Sequence, residues 1–398
     1  MLDGVDRHLA FVGLPAHGHV NPTLPLVAEL VRRGWRVSYA TGERFRADVE
    51  KAGATLVPTP PQPAAPPPSV TGPAVFASFL QRILTDARAS LPVLTAHFRT
   101  DPPRAVCFDA LGLAGRVLAA QTGAADVALV PSLATNERSS PFARGATAPP
   151  PEVLSALREM TDLAAAYGVA LQRGVGLLAP ASLNIVFVPR EFQPGGDTFD
   201  ARFRFVGPSP AGREDDPGWT PPDEPVLFVS LGTAFNDRPE FYRTCLEAFA
   251  GRLPVAMAVG QRVRLDDLGP VPGNVDVRSW FPQPTVLRHA AAFVSHAGMG
   301  STMEALYYGV PLVCVPQMLE QEVNAGRVAE LGLGVRLDAR QVSAAGLRGA
   351  VDTVTSDAAV RAALDRMRTA VHAAGGAVAA ADAVEAHVRR GVSPASPP

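Results

Sequence analysis

The residues best placed to do chemistry lie in one stretch, Phe293 to Gln321, which reads FVSHAGMGSTMEALYYGVPLVCVPQMLEQ. The pattern is a short apolar strand, a glycine-broken loop opening a helix, a second apolar strand and a polar tip. His296, Gly298 and Gly300 sit where the strand leaves its sheet, so backbone amides can come close to a ligand. Ser301 is expected to open the helix, whose free N–H groups and dipole favour an anion, with phosphate the usual one. His296 can donate a hydrogen bond to the same anion. Ser301 and Glu304 also have the Ser-x-x-Glu spacing of a capping box, which would satisfy two amides within the chain itself, and spacing alone leaves both readings open.

A second group of chemically capable residues lies near the start. PAHGHVNPT, Pro15 to Thr23, follows a buried strand and leads into an apolar-periodic helix. Asn21 is expected to be its N-cap and Pro22 its first residue. His17 and His19 then fall in the loop at the carboxyl end of the first strand, where open α/β sheets bind ligands. On the residues alone, either histidine is a loop polar group or a catalyst. Asp109 closes another buried strand, as a helix cap or as a site group.

The elements that must position these residues form a βαβ series. Strands are expected at His8 to Leu14, Trp35 to Ala40, Arg104 to Phe108, Asp126 to Val130 and Leu183 to Val188, with helices at Leu24 to Arg33 and Phe45 to Ala52. Pro58 to Pro73 is proline-dense and reads as an exposed loop. Phe76, Phe79, Leu80, Ile83 and Leu84 follow at helical spacing until Pro92 interferes. Pro131 to Pro151 is a second long loop on the same face as the first, and together they suggest a substrate-binding wall. Gly207 to Glu224 has the composition of a linker, and its Glu214-Asp215-Asp216 run reads as solvated rather than metal-binding. Strands then resume at Pro225 to Leu231, with Gly232 and Thr233 at the strand end, and at Val255 to Val259 and Val275 to Ser279. A helix is expected at Pro239 to Ala250, and from Ser343 to Arg390 the alanine-rich pattern is helical.

The chain has 398 residues and a net charge of −2. That length suits two α/β domains. The charge gives no basic footprint for nucleic acid and no polybasic patch for a stable membrane association, so the expected partners are small molecules. Cys107, Cys245 and Cys314 form no CxxC pair, which points to a reducing cytoplasm. MLDGVDRHLAFVGLP reads as neither a signal peptide nor a membrane span. The single lysine, Lys51, leaves little room for Walker-type or Schiff-base chemistry. Neither first turn carries GxGxxG, which argues against a nicotinamide dehydrogenase.

Pro15-x-x-Gly18-His19-x-x-Pro22, Trp280-Phe281-Pro-Gln283, His296-Ala-Gly298-Met-Gly300-Ser301-Thr-Met-Glu304 and Glu320-Gln321 together resemble the inverting nucleotide-sugar glycosyltransferases. LNIVFVPREFQP, SLGTAFNDRPEFY and VPQMLEQE look most like the bacterial macrolide-type UDP-glycosyltransferases. The resemblance spans nearly the whole chain and implies a GT-B fold of two facing, doubly wound Rossmann-like domains with an interdomain cleft. The expected divisions are 1–206 for acceptor binding, a linker at 207–224, 225–375 for the nucleotide sugar, and 376–398 as a C-terminal helix crossing back, with a frayed tail.

By that resemblance His19 is the general base and Asp109 its orienting partner, with His17 behind them. Trp280, beside Phe281, stacks on the base of a UDP- or TDP-sugar, and Gln283 and Glu304 bond the ribose. Thr233, His296, Gly298, Gly300 and Ser301 hold the diphosphate, so no cofactor and no metal are required. Glu320 and Gln321 meet the sugar. Many relatives carry Asp-Gln at that place, so the longer acid leaves the sugar open between glucose and others. His17, Phe76, Phe79 and Phe142 are the acceptor candidates, the phenylalanines by location and apolarity only. The implied reaction moves a sugar to a hydroxyl of a macrolide, flavonoid or other phenolic. A nucleotide-sugar epimerase or hydrolase and a non-catalytic nucleotide-sugar-binding protein are the alternatives.

Overall fold

The computed structural model describes residues 7–61, 73–136, 138–139, 151–170, 179–210, 218–233 and 236–391. The chain divides into two compact units, Met1–Ser209 with Ala374–Pro398, and Pro210–Ala373.

The strands of the first unit are β1 (His8–Val12), β2 (Arg36–Gly42), β3 (Thr55–Thr59), β4 (Ala105–Asp109), β5 (Ala125–Val130), β6 (Leu183–Val186) and β7 (Phe203–Phe205). They form one parallel sheet in the order β3-β2-β1-β4-β5-β6-β7. A parallel sheet needs cover on both faces, and the period-2 alternation supplies two cores. Ala10, Val12, Val106 and Phe108 face one core with Leu80, Leu91 and Leu94; Leu9, Phe11, Cys107 and Ile185 face the other with Leu26 and Leu30. The helices are α1 (His17–Val20), α2 (Leu24–Arg32), α3 (Arg46–Lys51), α4 (Pro73–Phe98), α5 (Leu113–Thr122) and α6 (Pro151–Ala166).

Several local expectations change. Asn21 does not cap: the helical path begins at His17 after Ala16, and Asn21–Thr23 is a 3₁₀ turn joining α1 to α2. Thr23 ties that junction down, its Oγ1 bonding the Val20 carbonyl at 2.8 Å and the Tyr39 hydroxyl at 2.7 Å. Pro92 does not end α4, because Leu91, Leu94 and Phe98 extend the same apolar stripe into the core and offset the lost amide bond. Pro58 and Thr59 belong to the edge strand β3 rather than to a loop, an edge being where a ladder tolerates proline. Pro73, the last residue of that stretch, opens α4, while 62–72 and the Glu214-Asp215-Asp216 run lie outside the described residues.

The second unit contains β8 (Val226–Ser230), α7 (Pro239–Phe249), β9 (Val255–Ala258), β10 (Val275–Arg278), α8 (Gln283–Leu287), β11 (Ala290–Ser295), α9 (Met299–Tyr308), β12 (Leu312–Cys314), α10 (Leu319–Glu330), β13 (Gly334–Arg336), α11 (Ala344–Ser356) and α12 (Ala358–Ala373). Its sheet is parallel, in the order β10-β9-β8-β11-β12-β13. The latter part of the expected linker is not free: Trp219 is buried, with its ring 6.4 Å from Phe281 and 6.2 Å from His289.

The last helix, α13 (Gly376–Gly391), completes the first unit. Ala380, Ala381, Val384 and Val388 enter the core beside α2. Arg33 donates to Asp382 at 2.6 Å and Glu385 at 3.1 Å, and the Trp35 indole donates to Glu385 at 2.8 Å.

Candidate functional site

Each sheet reverses its strand order once, between β1 and β4 in the first unit and between β8 and β11 in the second. Loops leaving neighbouring strands diverge at such a point and open a crevice at the carboxyl ends. The histidines follow β1 and Asp109 ends β4, so the first reversal brings them together. His19 Nδ1 lies 2.6 Å from Asp109 Oδ2, and Asp109 Oδ1 accepts from the Leu111 amide at 3.0 Å. The aspartate is thus both the turn former of its loop and a partner of His19, while the N-cap of α5 is Gly112. The carboxylate side chain is 3% exposed and the imidazole 27%. An ionised carboxylate only accepts, so the neutral ring carries its proton on Nδ1 and its lone pair on Nε2. His17 is exposed, edge-on to Phe45 at 5.0 Å.

In the second unit, Gly232 (φ +74°) follows β8 and Gly298 follows His296 after β11. A Cβ on Gly232 would lie 2.5 Å from the His296 ring, and one on Gly298 would lie 2.3 Å from its Nε2. Only glycine at both places admits the imidazole. Burial pushes the His296 pKa down to about 4, against the opposing effect of the Ser230 backbone. The ring is therefore neutral near pH 7 and offers an anion no positive charge. Thr233 is exposed at the β8 end.

Ser301 does not open α9. Gly298 is the N-cap, without a side-chain cap, and Ser301 is the helix's third residue, so the capping box is absent. Ser301 and Glu304 turn instead to Gln283, whose Nε2 donates to Glu304 at 2.6 Å and lies 3.3 Å from Ser301 Oγ. Around Gly300 a Cβ would meet nothing within 4 Å, so the space over the first turn of α9 is open.

Trp280 is 59% exposed, which removes it from the core, whereas Phe281 is 2% exposed. The Phe281 ring packs against Phe228 and Trp219, so its side chain is part of the core while Trp280 beside it is exposed. Glu320 and Gln321 are not in a loose tip but in the first turn of α10. Gln321 Oε1 accepts from the Gln317 amide at 2.7 Å, and Gln317 Oε1 accepts from Arg238 at 2.6 Å.

Among the acceptor candidates, Phe79 packs against the core beside α6. Phe76 lies on α4, and neither its side chain nor Phe142 is among the described residues. Sequence reasoning missed Arg238, Gln317, Ser295 and Asn324. Asn324 lies on α10, one turn beyond Glu320, and no sequence pattern marked it. Among the described residues, no group of three or more His, Cys, Asp or Glu is arranged to hold a metal, and no helix is long and apolar enough to cross a membrane.

Residues 253–385 match the family described as "Erythromycin biosynthesis protein CIII-like, C-terminal domain". Over its length the chain is 39% identical to the NDP-glycosyltransferase YjiC of Bacillus licheniformis, covering 96% of this chain and 97% of that protein. It is 36% identical to the demethyllactenocin mycarosyltransferase of Streptomyces fradiae, covering 95% and 86% respectively. The crystal structure of CalG4, the calicheamicin glycosyltransferase, superposes with a TM-score of 0.85 at 38% identity, covering 98% of this chain and all of that one.

Proposed function

The chain belongs to the macrolide-type UDP-glycosyltransferases of natural-product glycosylation, and from that premise we propose that it transfers a hexose, glucose first, from a UDP- or TDP-sugar to a hydroxyl of a hydrophobic macrolide, flavonoid or phenolic. The observation that carries the mechanism is the 2.6 Å contact between His19 Nδ1 and a nearly buried Asp109. Nε2 of His19 takes the acceptor's hydroxyl proton. The acceptor oxygen forms its bond to the anomeric carbon as the bond to the diphosphate oxygen breaks, inverting the centre in one step. The Asp109 carboxylate stabilises the imidazolium produced.

Trp280 supplies a stacking face for the base, and the Gln283–Glu304 pair lies one helical turn from Gly300, where it can meet the ribose. The departing diphosphate is held by the first-turn amides of α9, by Ser301 and by Thr233, a helix-terminus arrangement that needs no metal. Glu320 and Gln321 meet the sugar. Three buried free cysteines suit a cytoplasmic enzyme.

The test is a mass-spectrometric transfer assay with UDP-glucose and TDP-glucose against macrolides, flavonoids and simple phenols, with acceptor-free controls. A gain of one hexose on an acceptor is expected. Donor consumption that is independent of acceptor would replace this reading with an epimerase or hydrolase.

A further inference from the structure

Ala297 is the only non-glycine among the described residues with a positive φ, +61°. An L-residue is strained there and glycine is not. The strain falls at a telling place, between His296 and Gly298, the N-cap of α9. Both backbone groups of Ala297 are tied to side chains, one from the end of β11 and one from the distant α10. Its amide donates to Ser295 Oγ at 3.1 Å, and its carbonyl accepts from Asn324 Nδ2 at 3.0 Å. Ser295, Ala297 and Asn324 are each 0% exposed, so water does not compete for these bonds. The Asn324 orientation follows from the partner, since a carbonyl accepts only from the amide nitrogen. Its Oδ1 is buried without a hydrogen bond, and the side chain makes its one bond to the strained residue.

The first amides of a helix point wherever the preceding residue aims them. We propose that Asn324, with Ser295, is a positioning residue for the donor diphosphate: it holds Ala297 in the left-handed region, and that conformation directs the first-turn amides of α9 at the phosphates. The inference rests on the donor site proposed above. It also gives α10 a double role, since Glu320 and Gln321 in its first turn face the sugar while Asn324, a turn later, sets the phosphate cradle.

The test measures UDP and TDP binding by calorimetry and uridine binding by saturation-transfer NMR. The proteins are the wild type, Asn324→Ala, Asn324→Asp and Asn324→Ala with Ala297→Gly. Aspartate keeps the volume and removes the donor. Releasing one left-handed residue is worth about tenfold in affinity, so both single variants are expected to bind UDP and TDP about tenfold more weakly, with uridine binding unchanged. Glycine holds φ near +61° without assistance, so the double variant is expected to return to within about threefold of the wild type. Undiminished UDP binding by Asn324→Ala would overturn the proposal. So would an equal loss of uridine, or no recovery with Ala297→Gly, either of which would mark a general structural role. A wild type that binds neither diphosphate would remove the donor site itself, and the positioning role with it.

Discussion

Asp109→Asn isolates the charge beside His19 while keeping the shape of the side chain. The amide oxygen still accepts from the Leu111 amide, so the turn after β4 is preserved. What is lost is the interaction between a carboxylate and the imidazolium formed in the proposed transfer. Two unit charges about 4 Å apart attract by about 4 kcal/mol at an effective dielectric of 20. Asp109 is almost fully covered and His19 is 27% exposed, so screening on the histidine side reduces this to about 2 to 3 kcal/mol. At about 1.4 kcal/mol per tenfold, kcat should fall roughly 30- to 200-fold. Calorimetric binding of UDP should be unchanged, because the residues proposed to hold the donor lie in the other unit. The assay is initial-rate transfer at saturating donor across pH 6 to 9, with the thermal midpoint as a folding control. A drop of less than about fivefold with folding intact would refute the reasoning. So would a parallel loss of UDP affinity.

Trp280→Ala should weaken UDP binding by about 1 to 3 kcal/mol, the worth of a base stacked on an aromatic ring, without moving the thermal midpoint, since the ring is 59% exposed; unchanged affinity on calorimetry would remove the stacking role. Gly232→Ala combines a positive φ with a 2.5 Å approach to the His296 ring, and urea titration should show a loss of about 1 to 3 kcal/mol. His296 is held at about 4 in the fold against 6.5 when unfolded, so as pH falls the unfolded chain takes the proton first. Its contribution is therefore complete above about pH 6.5 and is lost from there toward pH 4. Urea midpoints at pH 7.5 and 5 should diverge more for the wild type than for His296→Gln, and equal divergence would sink the assignment.

Fold class and the two-unit division were legible because parallel strands buried on both faces leave unbroken apolar runs such as HLAFV and VLFVS. The close packing of Gly232 and Gly298 around His296 was legible in part, because glycines follow that histidine at a strand end. Less visible were β7 and β13, three residues each, where periodicity has no length to register. The entry into α2 was misjudged because Asn21-Pro22 imitates a cap, while the bonds that set the junction come from Thr23 to the distant Tyr39. Phe281 and Trp280 are adjacent aromatics with opposite fates, and only packing against Phe228 separates them. Asn324 was silent for a related reason: its partner is a backbone carbonyl 27 residues earlier, and no local pattern records which carbonyls are strained.

The return of α13 to the first unit bears on how the protein is made. Synthesis runs from the amino terminus, and domains ordinarily fold in that order as they emerge from the ribosome. Here the amino-terminal sheet waits for its final helix, because Ala380, Ala381, Val384 and Val388 fill one of its two cores and Arg33 and Trp35 find their carboxylates on it. The second unit, continuous from Pro210 to Ala373, has no such debt to later sequence. It is the second unit that can reach its native state first, and the unit that carries His19 and Asp109 is sealed only once α13 has been made.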